Sequence, residues 1–189
     1  KIKNKIPRVI LIARMLKDKG IYEFFEAFQL LKKKQIKCQF VLVGDVDPLN
    51  PASLKRSTLE KWKDQNSIEW LGWINNIEKV LLQTDILCLP SYREGLPKSL
   101  VEGAAVGLPL VATDTVGCRE VVIDGHNGFL VPIKDSEKLA VAIEKLILDS
   151  SLRKSMGRES FKMANSKFSS SRINSLTLKV YNEIYLQDF

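Results

Sequence analysis

The chain has 189 residues, of which 45% are hydrophobic and 27% charged, with a net charge of +7. That balance fits one compact α/β domain with a real core, and the chain has neither an apolar run near the roughly 18 residues needed to cross a bilayer nor a signal-peptide pattern. Cys38, Cys88 and Cys118 form no CxxC or Cys/His cluster, which argues against metal or disulfide chemistry and for core thiols.

In chain order, the opening "KIKNKIPRVILIARM" runs almost directly into a β-rich stretch, "RVILIAR", and reads as a domain cut at a linker. "IYEFFEAFQLLKKK" follows, with Ile21, Phe24, Phe25, Phe28 and Leu31 at helical spacing. "CQFVLVGD" is a second buried strand, "SLKRSTLEKWKDQ" a helix, "IEWLGW" a third strand, "IEKVLLQT" a short helix and "DILCLP" a fourth strand. Pro97 to Val106 reads as a helix closed by Gly107 and Pro109. "LPLVATD" is a fifth strand, "CREVVID" a short helix, and "GHNGFLVP" a turn leading into a sixth strand. "DSEKLAVAIEKLILD" begins with a good cap and is helical, and two further helical stretches close the chain. The basic runs "LKKKQIK" and "LKRSTLEKWK" read as solvated helix faces, and no aromatic-basic interleaving of the RNA-binding type is visible.

Short strands alternating with helices predict a parallel sheet of about six strands sandwiched by helices, a Rossmann-like α/β fold spanning 1–189 as one domain. Ligands of such sheets bind outside the carboxyl ends of the strands. That edge collects "ARMLKDKG", "GDVD", "SYREGLP" and "TDTVGC". In "EGLPKSLVE", Gly95 permits a tight turn and Pro97 suits a first helical position. The backbone N–H groups of Gly95, Leu96, Lys98 and Ser99, with the helix dipole, suit an anion. Glu102 lies roughly 7.5 Å up the helix at 1.5 Å per residue, a reach that suits a ribose diol beyond the anion. Glu94 stands on the other side of the turn. Arg14 and Lys19, flanking a loop at the end of the first strand, can neutralise a diphosphate, the first as a planar fork and the second as a point charge. Asp45 to Asp47, "DVD", reads as a strand end and loop rather than a metal motif. His126, the sole histidine, reads as a turn residue.

Taken together, "ARMLKDKG", "WLGW" and "LPSYREGLPKSLVEGAAVGLPLVATDTVGCREVVIDGHNGFLVP" resemble the C-terminal, donor-binding domain of a family-4-type retaining glycosyltransferase of GT-B fold, over essentially the whole chain. The closest resemblance is to bacterial enzymes of surface-polysaccharide synthesis. It implies transfer of a sugar from a nucleotide diphosphate sugar, a UDP-hexose or UDP-N-acetylhexosamine, to an acceptor hydroxyl with retention. By the same resemblance Arg14 and Lys19 bind the diphosphate, Glu94 contacts the donor sugar, the Gly95–Leu96–Pro97–Lys98 backbone and Ser99 cover sugar and phosphates, Glu102 holds the ribose, and Trp73 approaches the base. Gly117 and Cys118 occupy a loop facing the donor region. Arg14, Lys19 and Glu94 carry the catalytic assignment, with Glu94 positioning the sugar, and no metal or other cofactor is required.

Two positions depart from the family pattern: Pro97 stands where many members have glycine, and "GDVD" lacks a glycine-rich run, which counts against a contact from Gly44. The resemblance also implies an N-terminal domain of the same polypeptide onto which a terminal helix over about 166–189 packs. It further implies no activity of this domain in isolation, a lipid-linked acceptor, no nucleic-acid partner, and a cytoplasmic location, peripheral at the inner face of the plasma membrane. A nucleotide-sugar epimerase of the same fold, and a non-catalytic phosphate- or nucleic-acid-binding α/β module, stand as alternatives.

Overall fold

The structure, a computed structural model, describes residues 6–65 and 68–187. Lys1 to Lys5, the start of the stretch that reads as a cut linker, and Asp188 and Phe189, the end of the expected terminal helix, lie outside the described residues. Six strands, β1 (Arg8–Ile12), β2 (Gln39–Val43), β3 (Glu69–Trp70), β4 (Ile86–Leu89), β5 (Leu110–Thr113) and β6 (Gly128–Val131), form one sheet in the order β3-β2-β1-β4-β5-β6. Every neighbouring pair is parallel. The intervening helices are α1 (Ile21–Lys33), α2 (Arg56–Asp64), α3 (Ile77–Leu82), α4 (Lys98–Ala105) and α5 (Val116–Arg119), followed after β6 by α6 (Ser136–Leu148), α7 (Ser150–Lys167) and α8 (Ser170–Gln187). The predicted Rossmann-like α/β architecture is therefore the one observed.

The strands are apolar on both faces because both faces are covered, as a parallel sheet requires. Alternate side chains divide cleanly. Val9, Leu11, Phe40 and Leu42 join a core with α1, α2 and α6, whereas Ile10, Val41, Leu87 and Leu110 pack on the other side with Leu81 of α3, Leu100 of α4 and Ala164 of α7. The helical spacing read in "IYEFFEAFQLL" places Ile21, Phe24, Phe28 and Leu31 on the buried face of α1. Phe24 and Phe28 meet Phe40 of β2 with ring centroids 4.6 Å and 5.2 Å apart. Removing a fully buried phenyl such as Phe24 costs about 3–5 kcal/mol.

Several boundaries differ from the sequence reading. β3 pairs in register only at Glu69 and Trp70, and beyond it the chain stays bonded to the end of β2: Leu71 donates its N–H to the Leu42 carbonyl, Gly44 donates its N–H to the Gly72 carbonyl and the Trp70 indole donates to the Gly44 carbonyl. Pro97 caps α4 rather than opening it, and its carbonyl accepts the N–H groups of Leu100 and Val101. The short helix expected over Cys118–Asp124 starts earlier, at Val116, so Cys118 is buried in a helical turn and not in a loop. The expected cap of α6 is present as Asp135 accepting from the Lys138 N–H. All three cysteines are free, and burial pushes the Cys38 thiol up to about 11 and those of Cys88 and Cys118 up as well. Lys32, Lys33, Lys34, Lys55, Arg56, Lys61 and Lys63 are exposed, as the solvated-face reading requires. Every described side chain of α8 through Tyr185 is exposed, including Ile173, Leu176, Leu178, Val180, Tyr181 and Ile184.

Candidate functional site

In the strand order 3-2-1-4-5-6 the chain runs from β1 outward through β2 to β3 and then crosses back to β4 on the other side of β1, so the loops after β1 and β4 diverge and open a crevice. A cavity of about 690 Å³ occupies it. Arg14 and Lys19 reach it from the loop after β1, Gly44, Asp45 and Asp47 from the loop after β2, and Trp73 and Asn75 from the loop after β3. Glu94, Leu96, Pro97, Lys98, Ser99 and Glu102 come from the turn after β4 and from α4, and Ile12, Val43 and Leu89 form an apolar floor. Arg14, Lys19, Trp73, Glu94, Leu96, Pro97, Lys98, Ser99 and Glu102 thus share one wall, whereas Gly95, Gly117 and Cys118 are not on it. Gly44, which the departure from the family pattern counted against, is on it.

The loops carrying these groups are fixed by their backbones. Ala13 and Met15 donate to the carbonyls of Val43 and Asp45, and Lys17 donates to Ala52, which holds the loop after β1 alongside the loop after β2. That side-by-side course sets Arg14 against Asp47, with Nη1 2.9 Å from Oδ2. One 3₁₀ turn, Lys17–Lys19, then ends at Gly20 with φ 71°, and a Cβ there would stand 2.1 Å from the Pro90 carbonyl oxygen. Glycine is required on both counts. The close approach brings the Lys19 turn against the chain leaving β4, where Lys19 Nζ lies 2.7 Å from Glu94 Oε1. Both side chains are largely shielded, at 21% and 13% exposure. Beneath the turn, a Cβ on Gly117 would lie 2.0 Å from the Gly95 carbonyl oxygen and 2.4 Å from that of Glu94. Gly117 therefore supports the turn from below.

The N–H groups of Lys98 and Ser99 precede any intrahelical acceptor of α4 and face the cavity end of the helix. Glu102, one turn on, lies 3.6 Å from Lys98 Nζ. The electrostatics differ from a simple basic pocket. Each cation on the wall has an acid beside it: Arg14 has Asp47, Lys19 has Glu94 and Lys98 has Glu102. Asp45 in turn pairs with Arg56, at 2.7 Å. The "DVD" acids thus end a strand and serve ion pairs, and among the described residues no group of three or more His, Cys, Asp or Glu side chains is arranged to hold a metal ion.

Three features of the site carry little or no signal in the sequence. Asp47 as the partner of Arg14 was visible only as part of a tripeptide. Asn75, which accepts the Trp73 indole N–H at 3.0 Å, carries no local signal. Tyr92 donates its hydroxyl to Glu23 Oε1 at 2.5 Å, and burial first and Glu23 second push its phenol above the usual range, so it stays protonated. His126 sits in the turn before β6, its N–H bonded to the Ile123 carbonyl and its Nε2 3.4 Å from Glu159, away from the cavity wall. Among the described residues no helix is long and apolar enough to cross a membrane.

A profile of the family described as glycosyl transferases group 1 matches residues 1–163. The chain is 33% identical over 181 residues to the N,N'-diacetylbacillosaminyl-diphospho-undecaprenol alpha-1,3-N-acetylgalactosaminyltransferase of Campylobacter jejuni, covering 96% of this chain and 46% of the relative. It is 28% identical to the capsular polysaccharide biosynthesis glycosyltransferase CapM of Staphylococcus aureus, covering 90% of this chain and 44% of CapM. The chain thus spans about half the length of these relatives. Among solved structures, Anabaena Alr3699/HepE in complex with UDP superposes with a TM-score of 0.82 at 22% identity, over 94% of this chain and 49% of that one.

Proposed function

Because the chain belongs to the group 1 glycosyltransferases, we propose that it is the donor-binding half of an enzyme that transfers a sugar from a nucleotide diphosphate sugar to an acceptor hydroxyl, with retention. The observation that carries this reading is the convergence of Arg14, Lys19, the α4 N-terminus, Glu94 and Glu102 on one cavity at the sheet's switch point. The donor lies across that cavity. Arg14, Lys19 and the Lys98 and Ser99 amides take the diphosphate, Glu102 takes the ribose diol, Glu94 the sugar hydroxyls, and Trp73 lies toward the base. UDP is the nucleotide, carrying a hexose or N-acetylhexosamine; the UDP complex of the structural neighbour and the hexosaminyl transfer in the relative's name support that choice.

As the anomeric C–O bond breaks, charge builds on the leaving diphosphate. Preorganised donors aimed at it stabilise that charge without reorganisation, and in this reading the guanidinium, the ammonium and the helix amides fill the role without a metal ion. The acids beside them then matter. An incoming diphosphate displaces Asp47 from Arg14 and Glu94 from Lys19, and the freed Glu94 turns to the sugar. The acceptor is lipid-linked and meets the donor at the cytoplasmic face of the membrane. It is held by an N-terminal domain of the same polypeptide, onto which the apolar side of α8 packs, so the isolated chain binds donor and transfers nothing.

Calorimetry with UDP-, GDP- and ADP-sugars in the presence of EDTA tests the reading. The expected result is binding of UDP and a UDP-sugar that chelation does not change. Binding that vanishes with EDTA and returns with Mg²⁺ or Mn²⁺ overturns the metal-free assignment, and absence of any nucleotide binding overturns the donor site.

A further inference from the structure

We propose that Tyr92 and Glu23, which lie off the cavity wall, form a positioning contact that holds the Glu94 turn in register with the Lys19 turn once a donor has entered. The inference rests on the donor-site reading above. Tyr92 stands two residues before Glu94, yet its side chain leads away from the cavity to the first turn of α1, where its hydroxyl donates to Glu23 Oε1 at 2.5 Å. The same short segment is stitched to the residue next to Lys19. The Tyr92 N–H donates to the Asp18 carbonyl at 2.8 Å, and the buried Ser91 hydroxyl lies 3.1 Å from the same oxygen. Glu23 is dedicated to this contact. Its other oxygen, Oε2, is buried without a hydrogen-bond partner among the described residues, so the Tyr92 hydroxyl is what holds the carboxylate in place. Lys134 Nζ closes the other side of the ring at 5.1 Å from its centroid.

The reason this contact acts in transfer lies in what donor binding removes. The Lys19–Glu94 ion pair at 2.7 Å joins the two turns inside the cavity. A diphosphate sugar draws Lys19 to phosphate and Glu94 to sugar, and the direct bond between the turns is lost at the moment when their separation must match the span from phosphate to sugar hydroxyl. The joints that remain lie outside the cavity: the Tyr92–Glu23 bond, the two bonds to the Asp18 carbonyl and a solvent-exposed Arg93–Asp18 ion pair at 3.7 Å. A hydroxyl donating to a carboxylate is stronger than the neutral bonds and less screened than the exposed ion pair. UDP alone engages Lys19 and makes no demand on Glu94. Tyr92 and Glu23 therefore bear on the sugar-bearing ligand and scarcely on the nucleotide.

The test compares Y92F, E23A, E23Q and the Y92F/E23A double variant with the unaltered chain, measuring by calorimetry the Kd of UDP and of UDP-glucose, UDP-galactose and their N-acetylamino counterparts, and taking the ratio for the tightest sugar. Y92F and E23A are expected to leave the UDP Kd within about twofold and to raise the UDP-sugar Kd about five- to tenfold. The double variant is expected to be no worse than either single one, since both remove one bond. E23Q, which keeps an acceptor oxygen for the hydroxyl, is expected to stay near the unaltered chain, which separates loss of the contact from damage to the fold. Equal weakening of UDP and UDP-sugar in Y92F, or no change in either, overturns the inference while leaving the donor site intact. An unaltered chain that binds neither ligand overturns the donor-site reading on which it rests.

Discussion

At the scale of single residues, the cavity is defined by acids as much as by cations. Glu102→Ala should weaken UDP and UDP-sugar alike, because both carry the ribose, whereas Glu94→Ala should weaken only the sugar-bearing ligand. A lost hydrogen bond to a charged group, roughly 1.5–3 kcal/mol, makes each effect about tenfold or more, and titration calorimetry with both ligands reads it. Equal losses at Glu94 for the two ligands would remove it from the sugar. Asp47→Asn is expected to act in the opposite direction. Arg14 and Asp47 are 61% and 30% exposed, so their pair is worth at most about 1 kcal/mol, and releasing the guanidinium should tighten UDP by up to about fivefold. Tighter binding on removing a polar wall residue separates a competing acid from a ligand-contacting one; a weaker Kd would make Asp47 a support for Arg14. The cations and the two glutamates were legible in the sequence because residue type, turn and helix offset are local properties. The Asp47, Asn75 and Glu23 partners were not, since each depends on which loops the sheet order lays side by side.

At the scale of elements, the turn between β4 and α4 shows how little of a site resides in its own segment. "EGLPKSLVE" announces a tight turn and a helix start, yet the height of that turn is set by Gly117 in α5, whose missing Cβ leaves room for the carbonyls of Glu94 and Gly95. Gly117→Ala puts a methyl 2.0 Å from the Gly95 oxygen, and backbone on both sides leaves no flexible side chain to give way. The expected cost is about 1–3 kcal/mol of stability by chemical denaturation, together with loss of the preference for UDP-sugar over UDP. Retention of that preference would show that the turn tolerates displacement. Strand and helix identities were readable from period and length. The ends of α4, α5 and β3 were not, because caps and pairing across the sheet decide them: Pro97 as a cap, and Trp70 bonded to Gly44.

At the scale of the whole molecule, α8 stands out because every described side chain through Tyr185 is exposed. A helix of 18 residues with its apolar side chains in water is marginal, since packing supplies most helical stability. Ending the chain after Ser169 should leave the unfolding midpoint and the UDP Kd unchanged, and hydrogen exchange across 170–187 should be fast in this chain and slow once the proposed N-terminal domain is joined to it. Slow exchange in the isolated chain would mean that α8 finds a surface within these residues. On the proposed function, turnover with a lipid-linked acceptor is expected only when the chain is joined to an acceptor-binding domain, because orienting the acceptor accounts for roughly 7–11 kcal/mol of such a barrier. The sheet's switch point has a kinetic side as well. β1 meets β2 at five register positions but β4 at only two, and Lys19 and Glu94 are 75 positions apart. Contacts that distant close large loops and form late in folding. The proposed donor cavity lies on that seam, so nucleotide-binding competence should emerge with the slowest refolding phase, and UDP at a hundredfold excess over its Kd should add about 2.7 kcal/mol to the stability of the folded chain.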